Sequence, residues 1–453
     1  MALSRGICLN AFLFLLSASL LPACGGCSKT PSLMPTPNVY AQGLINPFEE
    51  VPPALQNNRV EVLYLTDRKP EKYAPDRQSY GYRRSRSLSF GVSEVEFGED
   101  VSWTELVKAS TTARRSKRLP VHVRKVRGLG QFPPTPRILV EAATTTPAAT
   151  PQTTPDPHPA TSPSPDQEQR AAEEAFRNEL SSRLAASPVK DVFIFVHGYN
   201  STLENSVSTI AQLWHFFGRA GVPLSYSWPA GRSGLLRGYT YDRESSEFTV
   251  FHFKNALNLI ASCPDVRKIH VIAHSRGTDV VASALRELHL EITAGGKVTR
   301  EVLKLGALVL VAPDMDLDVV IQRATTVRLG RVPERFALYV CSRDRALGMS
   351  NWLFSGVVRL GQLRSDLFTP AELEAMRNFE TMQIVDARVS ELGSYGHGYF
   401  MASPAVSSDL VLLVRYERPS GAENGRPLRA EPNGFWVIDD SYPAQHERSA
   451  DSQ

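Results

Sequence analysis

The sequence predicts an α/β fold: a doubly wound, mostly parallel sheet with helices on both faces. Three observations carry this. Strand-like and helix-like patterns alternate between residues 167 and 417. Val192-Phe193-Ile194-Phe195-Val196 is a continuous apolar run, as expected of a central strand covered on both faces. Ala273-His274-Ser275-Arg276-Gly277 sets a serine two residues from a small residue on either side, Ala273 and Gly277, between a strand pattern and a helix pattern.

The elements follow in order. Two runs, Arg59 to Thr66 and Ser87 to Val92, are rich in β-formers or alternate apolar with polar. After the apolar run at 192–196, helical spacing is expected from about Leu203 to Arg219 and a short strand from Leu224 to Trp228. Helical spacing returns from Glu247 to Cys263, with Phe248, Phe251, Ala256, Leu259 and Ile260 repeating at that period. Lys268 to Ala273 reads as a strand. Thr278 to Leu290 reads as a helix with Val281, Ala284, Leu285 and Leu288 on one face. Leu308 to Ala312, Phe336 to Cys341 and Gln383 to Ala387 are the remaining strand candidates. Pro404 to Arg415 is a closing helix with proline near its start.

Composition limits the function classes. In 453 residues, 42% are hydrophobic and 21% charged, and the net charge is only +3. This is ordinary for a globular chain and unlike a dedicated nucleic-acid binder. Five cysteines cannot staple a chain of this length.

Residues 1–23 read as a signal peptide: Arg5 precedes a mostly apolar stretch, Ile7 to Leu21, too short for the roughly 20 residues of a spanning helix. Leu21-Pro22-Ala23-Cys24 resembles a lipobox, which makes Cys24 the lipidation candidate and export with membrane anchoring the expected location; plain secretion is the alternative. Cys24 and Cys27 also form a C-x-x-C, but without the strand and helix that a redox site needs. Residues 24–57 read as a Pro-rich spacer, 58–142 as N-terminal strands of the main domain, 167–417 as its core and 418–453 as a polar tail. Residues 143–166 hold seven prolines and seven threonines, with too little apolar surface to offset the entropy of ordering, and read as a disordered insertion. Cys263 and Cys341 are either free buried thiols or a pair. The basic residues from Arg114 to Arg127 read as a solvated face, with anionic headgroups as the alternative partner. Ala230 to Gly238 lacks the Lys-Ser/Thr of a phosphate loop and reads as a cleft-edge loop.

The chemistry falls at strand ends. A serine on a sharp strand-to-helix turn is raised into a cleft, and the flanking residues two positions away, here Ala273 and Gly277, must be small because backbone passes close by. Ser275 is therefore a nucleophile candidate, with an ordinary helix N-cap as the alternative. A hydroxyl needs a base, and the base needs an orienting acid. Asp344, after the strand candidate ending at Cys341, is the first acid; Asp314, after the preceding strand, is the rival. His397 in Gly396-His397-Gly398 is the base. The backbone N–H groups of Arg276 and of Tyr199, in the loop His197-Gly198-Tyr199-Asn200, are the expected oxyanion donors. His274 neighbours the serine, but the turn aims it elsewhere. No H-E-x-x-H motif or Cys/His cluster points to a metal, and no cofactor is expected.

Together, Val196-His197-Gly198-Tyr199-Asn200, Ser227-Trp228-Pro229, Ala273-His274-Ser275-Arg276-Gly277, Ala312-Pro313-Asp314-Met315-Asp316, Ser342-Arg343-Asp344-Arg345-Ala346-Leu347 and Gly396-His397 resemble the alpha/beta-hydrolases of the bacterial esterase/lipase-like type, whose substrates are largely unassigned. Val62 to Arg68 looks like that family's N-terminal strand. The resemblance implies the alpha/beta-hydrolase fold and a serine hydrolase with Ser275, Asp344 and His397 as its triad. The implied partner is a small-molecule or lipid acyl ester. The rival reading is a binding protein that keeps the fold without the chemistry.

Overall fold

The structure, a computed structural model, describes residues 30–72, 76–136, 164–327, 329–348, 358–369 and 382–444. The signal segment, Cys24 and nearly all of the Pro/Thr-rich stretch lie outside the described residues. Among the described residues no helix is long and apolar enough to cross a membrane.

The chain opens the sheet with an antiparallel ribbon: β1 Arg59–Lys72, β2 Ser79–Phe97 and β3 Val121–Gln131. Helix α1, Trp103–Thr111, sits between β2 and β3, and a Ser102–Glu105 capping box sets its start. Helix α2, Pro165–Ala186, starts the same way, from Ser164 and Gln167 with proline at its first turn. Then strands and helices alternate: β4 Asp191–Val196, α3 Leu203–Phe216, β5 Val222–Ser227, α4 Leu235–Ala261, β6 Lys268–His274, α5 Gly277–Ala294, β7 Leu305–Val311, α6 Leu317–Val327, β8 Arg335–Val340 and β9 Met382–Arg388. Helix α7, Pro404–Leu410, runs into a π-helical turn, and β10 Arg429–Ala430 and β11 Trp436–Asp439 close the described chain.

The strand order is β10-β11-β9-β8-β7-β6-β4-β5-β1-β2-β3. From β1 across to β11 the neighbours pair in parallel. The chain leaves β4 for β5 on one side, then returns to β6 on the other. Open α/β sheets place their sites at the carboxyl ends of the strands beside such a reversal.

Period-two alternation splits the core into two layers. Phe193, Phe195, Val309 and Tyr339 face α3, α7 and the 33–51 segment. Val192, Ile194, Val196, Val271 and Leu310 face α2, α4 and α5.

Three expectations need correction. The 24–57 spacer is not loose where described: Leu33, Met34, Val39, Tyr40, Phe48 and Val51 are buried in the α3 layer. Its prolines break up a set of apolar anchors too sparse to register as a pattern. The polar tail adds β11 parallel to β9, and Arg426 docks it on α7 through two bonds to Asp409 at 2.8 and 2.7 Å, both side chains fully buried. A strand of four residues is too short for alternation to announce it. Helix α4 begins at Leu235, so part of the expected cleft-edge loop is its first turn. Hydropathy hides this start because α4 buries Asp242, Ser245, Ser246 and Thr249 on its inner face. The basic segment is a solvated face as expected: Arg114, Lys117, Arg118, Arg124, Lys125 and Arg127 are exposed, with Arg124 paired to Glu96 and Glu99, and only Arg115 is partly buried, bonding the Ala109 and Leu33 carbonyls. Cys263 and Cys341 are free and buried.

Candidate active site

Strand β6 ends at His274 and α5 begins at Gly277, so Ser275 occupies the turn. Its backbone is left-handed, with φ +54°. A non-glycine residue held there costs of the order of 1–3 kcal/mol and persists only where its surroundings over-determine it. Here they do. The Ser275 N–H donates to the Val311 carbonyl at 3.0 Å, and its own carbonyl accepts from the Thr278 N–H at 3.1 Å, the Thr278 hydroxyl at 2.6 Å and the Asp314 N–H at 3.3 Å. Two glycines admit the β4 loop against the turn. A Cβ on Gly277 would lie 2.3 Å from the His197 carbonyl oxygen, and one on Gly198 would lie 2.6 Å from the Ser275 Cβ. No side-chain cap closes the start of α5, so the N-cap alternative for Ser275 has no bond behind it.

The loop after β9 brings in His397. Its Nδ1 lies 2.6 Å from Asp344 Oδ2, and the Asp344 side chain is fully buried. The other Asp344 oxygen accepts from the Leu347 N–H at 3.1 Å. His274 does not offer itself as a base. Its Nε2–H donates to the His397 carbonyl at 2.9 Å, and the two rings lie 4.6 Å apart. Burial, then the charge of His397, holds the His274 imidazole down at about 3, so it is neutral at physiological pH. Among the described residues the His397 Nε2 has no hydrogen-bond partner, Ser275 included. Asp314 is engaged elsewhere. It accepts from the Tyr239 hydroxyl at 2.6 Å, and the Arg359 guanidinium lies 3.4 Å from its other oxygen.

The Arg276 N–H opens α5, where helix N–H groups lack intrahelical acceptors. The Arg276 side chain is buried: it donates to the Asp314 carbonyl at 3.2 Å and pairs with Asp279 at 2.8 Å. On the facing loop, Asn200 is also left-handed, with φ +53°, and its N–H donates to Asp242 at 2.9 Å. The His197 ring stacks on Trp228, with centroids 5.1 Å apart. Beside the turn lies a cavity of about 330 Å³ whose lining includes Tyr239, Arg243, Arg276, Met315 and Arg359.

Arg68 is the residue that sequence reasoning passed over. It closes the apolar part of β1, is 1% exposed, and bonds Ser227, Gly81, Ala230, His197 and Ser201. The available signal was Asp67-Arg68, two charges directly after an apolar strand run. Asp191, His270 and Glu417 are the one group among the described residues whose ligand atoms approach metal-binding distance, within 4.8 Å. They sit at the amino ends of β4 and β6, and Arg267 and Lys268 already pair with the carboxylates.

A reversing parallel sheet, with a strained serine turn and a carboxylate–imidazole pair at its carboxyl edge, defines the alpha/beta hydrolases. Residues 172–415 match the family described as alpha/beta hydrolase of unknown function (DUF900), and the chain belongs to that family. A comparison with curated proteins returned no match.

Proposed function

We propose that the protein is a serine hydrolase that cleaves carboxylic esters, or related acyl bonds, through an acyl-enzyme. The observation that carries this is the 2.6 Å contact between His397 Nδ1 and buried Asp344, on a loop bonded to His274 beside the strained Ser275. Ser275 Oγ attacks the acyl carbon while His397 Nε2 takes its proton; the contact between them closes when substrate arrives, as catalytic bonds commonly do. Asp344 holds the imidazole and stabilises its cation. The Tyr199 and Arg276 N–H groups bind the oxyanion. The intermediate collapses, the ester C–O bond breaks, and the leaving alkoxide takes the proton from His397. Water, deprotonated by the same ring, then releases the acid and restores Ser275.

Export and anchoring through Cys24 belong to the same proposal, and an acylated Cys24 in the mature protein's mass would support them.

A fluorophosphonate tests the chemistry against the binding-protein alternative. Wild type should label at Ser275, and Ser275→Ala should not. Absence of labelling in folded wild type would overturn the hydrolase reading.

A further inference from the structure

We propose that Arg68 is a positioning residue that acts through His197 to aim the Tyr199 N–H at the reacting carbonyl. The inference rests on the serine hydrolase reading and concerns how its oxyanion site is built.

The chain of contacts is short. The Arg68 guanidinium can only donate, so the His197 Nε2, 3.2 Å away, is the acceptor. That places the ring proton on Nδ1, which donates to the Gly198 carbonyl at 2.9 Å. The Gly198 carbonyl and the Tyr199 N–H belong to one peptide group. A peptide is planar and trans, so the two point in opposite directions. Fixing the oxygen on His197 therefore fixes where the N–H points. Gly198 itself presses on Ser275, so this peptide lies beside the nucleophile.

The remaining bonds of Arg68 keep the lever rigid. It holds the Ser201 carbonyl at 2.7 Å, at the far end of the same loop, and the Ala230 carbonyl at 2.8 Å and Ser227 hydroxyl at 2.9 Å from the end of β5. Trp228 stacks on the His197 ring and donates to its carbonyl at 2.7 Å. Burial, then the charge of Arg68, keeps His197 well below the usual histidine range, so the required tautomer is not lost to protonation. Burial lowers Arg68 only to about 10, and it stays cationic at neutral pH.

The test compares His197→Phe, which keeps the ring on Trp228 but loses the donor, with His197→Asn, whose amide nitrogen can take the place of Nδ1. Arg68→Met is the third variant. Each is assayed on a short-chain ester, with active sites counted by fluorophosphonate, and titrated with an alkyl boronic acid as tetrahedral mimic. His197→Phe and Arg68→Met should lose about 10- to 100-fold in kcat per active site, with KM within about threefold, and bind the boronate correspondingly more weakly. His197→Asn should recover most of the loss. If His197→Phe melts cooperatively and keeps kcat within about threefold of wild type, the inference is wrong. It is also wrong if His197→Asn recovers nothing. Should Arg68→Met fail to fold, the His197 pair decides. Unlabelled wild type would instead sink the hydrolase reading itself.

Discussion

The two ends of the central strands use the same residue types differently. At the amino ends of β4 and β6, Asp191, His270 and Glu417 meet Arg267 and Lys268, so that opposite charges neutralise one another. Burial alone would raise the Asp191 carboxyl, but His270 and Arg267 outweigh it and hold it below the usual carboxylate range. At the carboxyl ends, His197 and His274 are kept neutral and bond backbone carbonyls. The left-handed residues Asn200, Ser275, Ala312 and Tyr395 also gather there. The amino end also holds left-handed residues, Arg219, Lys304 and Glu417, but its charges are compensated in pairs. The carboxyl end instead keeps the His197 and His274 imidazoles uncharged and tied to backbone, so that they hold loops in place and, in the proposed mechanism, leave proton transfer to His397.

The largest expected effect separates the two buried acids of the carboxyl end. Asp344→Asn should lower kcat by roughly 10³–10⁴-fold, because it loses the proper tautomer of His397. Asp314→Asn should lower it far less, since Asp314 serves Tyr239 and Arg359. The reverse ranking in steady-state assays would move the orienting role to Asp314. Next comes Gly198→Ala. Its methyl would lie 2.6 Å from the Ser275 Cβ, so the loop must shift. Chemical denaturation should show a loss of about 1–3 kcal/mol. Fluorophosphonate labelling should slow by about 10–100-fold.

The neutral imidazoles make a pH prediction. His197, His215 and His274 all titrate below the ordinary histidine value in the folded chain, chiefly through burial. On acidification the unfolded chain binds the proton first. Stability is therefore fully present above about pH 6.5 and falls below it, by up to about 1.4 kcal/mol per pH unit for each such group. For His274 the loss continues down to about pH 3. Tm should accordingly fall between pH 7 and pH 5, before the carboxylate pairs of the amino end begin to protonate. A flat Tm over that window would contradict the neutral state of these rings. The smallest effect is expected from Asp191→Asn. Its partner Arg267 is half exposed, so the variant should lose about 1–2 kcal/mol of stability. Labelling of Ser275 should stay at the wild-type rate, because the strand ends are a sheet's length apart.

Much of the fold is legible from the chain. The run at 192–196 is apolar because both faces of β4 are covered, and that shows without a partner strand in view. Ser275, Asp344 and His397 stand out in the chain as candidates because each follows a strand pattern. Helix α4 is longer than its hydropathy shows because its inner face carries Asp242, Ser245 and Ser246, whose burial is offset by hydrogen bonds that hydropathy does not count. β11 leaves no trace in the sequence because four residues make no pattern until β9 offers an edge.

Local chemistry written in the chain determined the strands, the small residues around Ser275 and the glycine that lets a loop approach it. Which carboxylate faces His397, that His274 grips a carbonyl instead of a proton, and that Arg68 bonds the His197 ring and the Ser201 carbonyl of the loop facing Ser275 were decided by tertiary structure alone. These depend on partners far apart in sequence: 53 residues for Asp344 and His397, and more than a hundred for Arg68 and His197 or His274 and His397. Only folding sets such distances, and hydrogen bonds weaken steeply within an ångström.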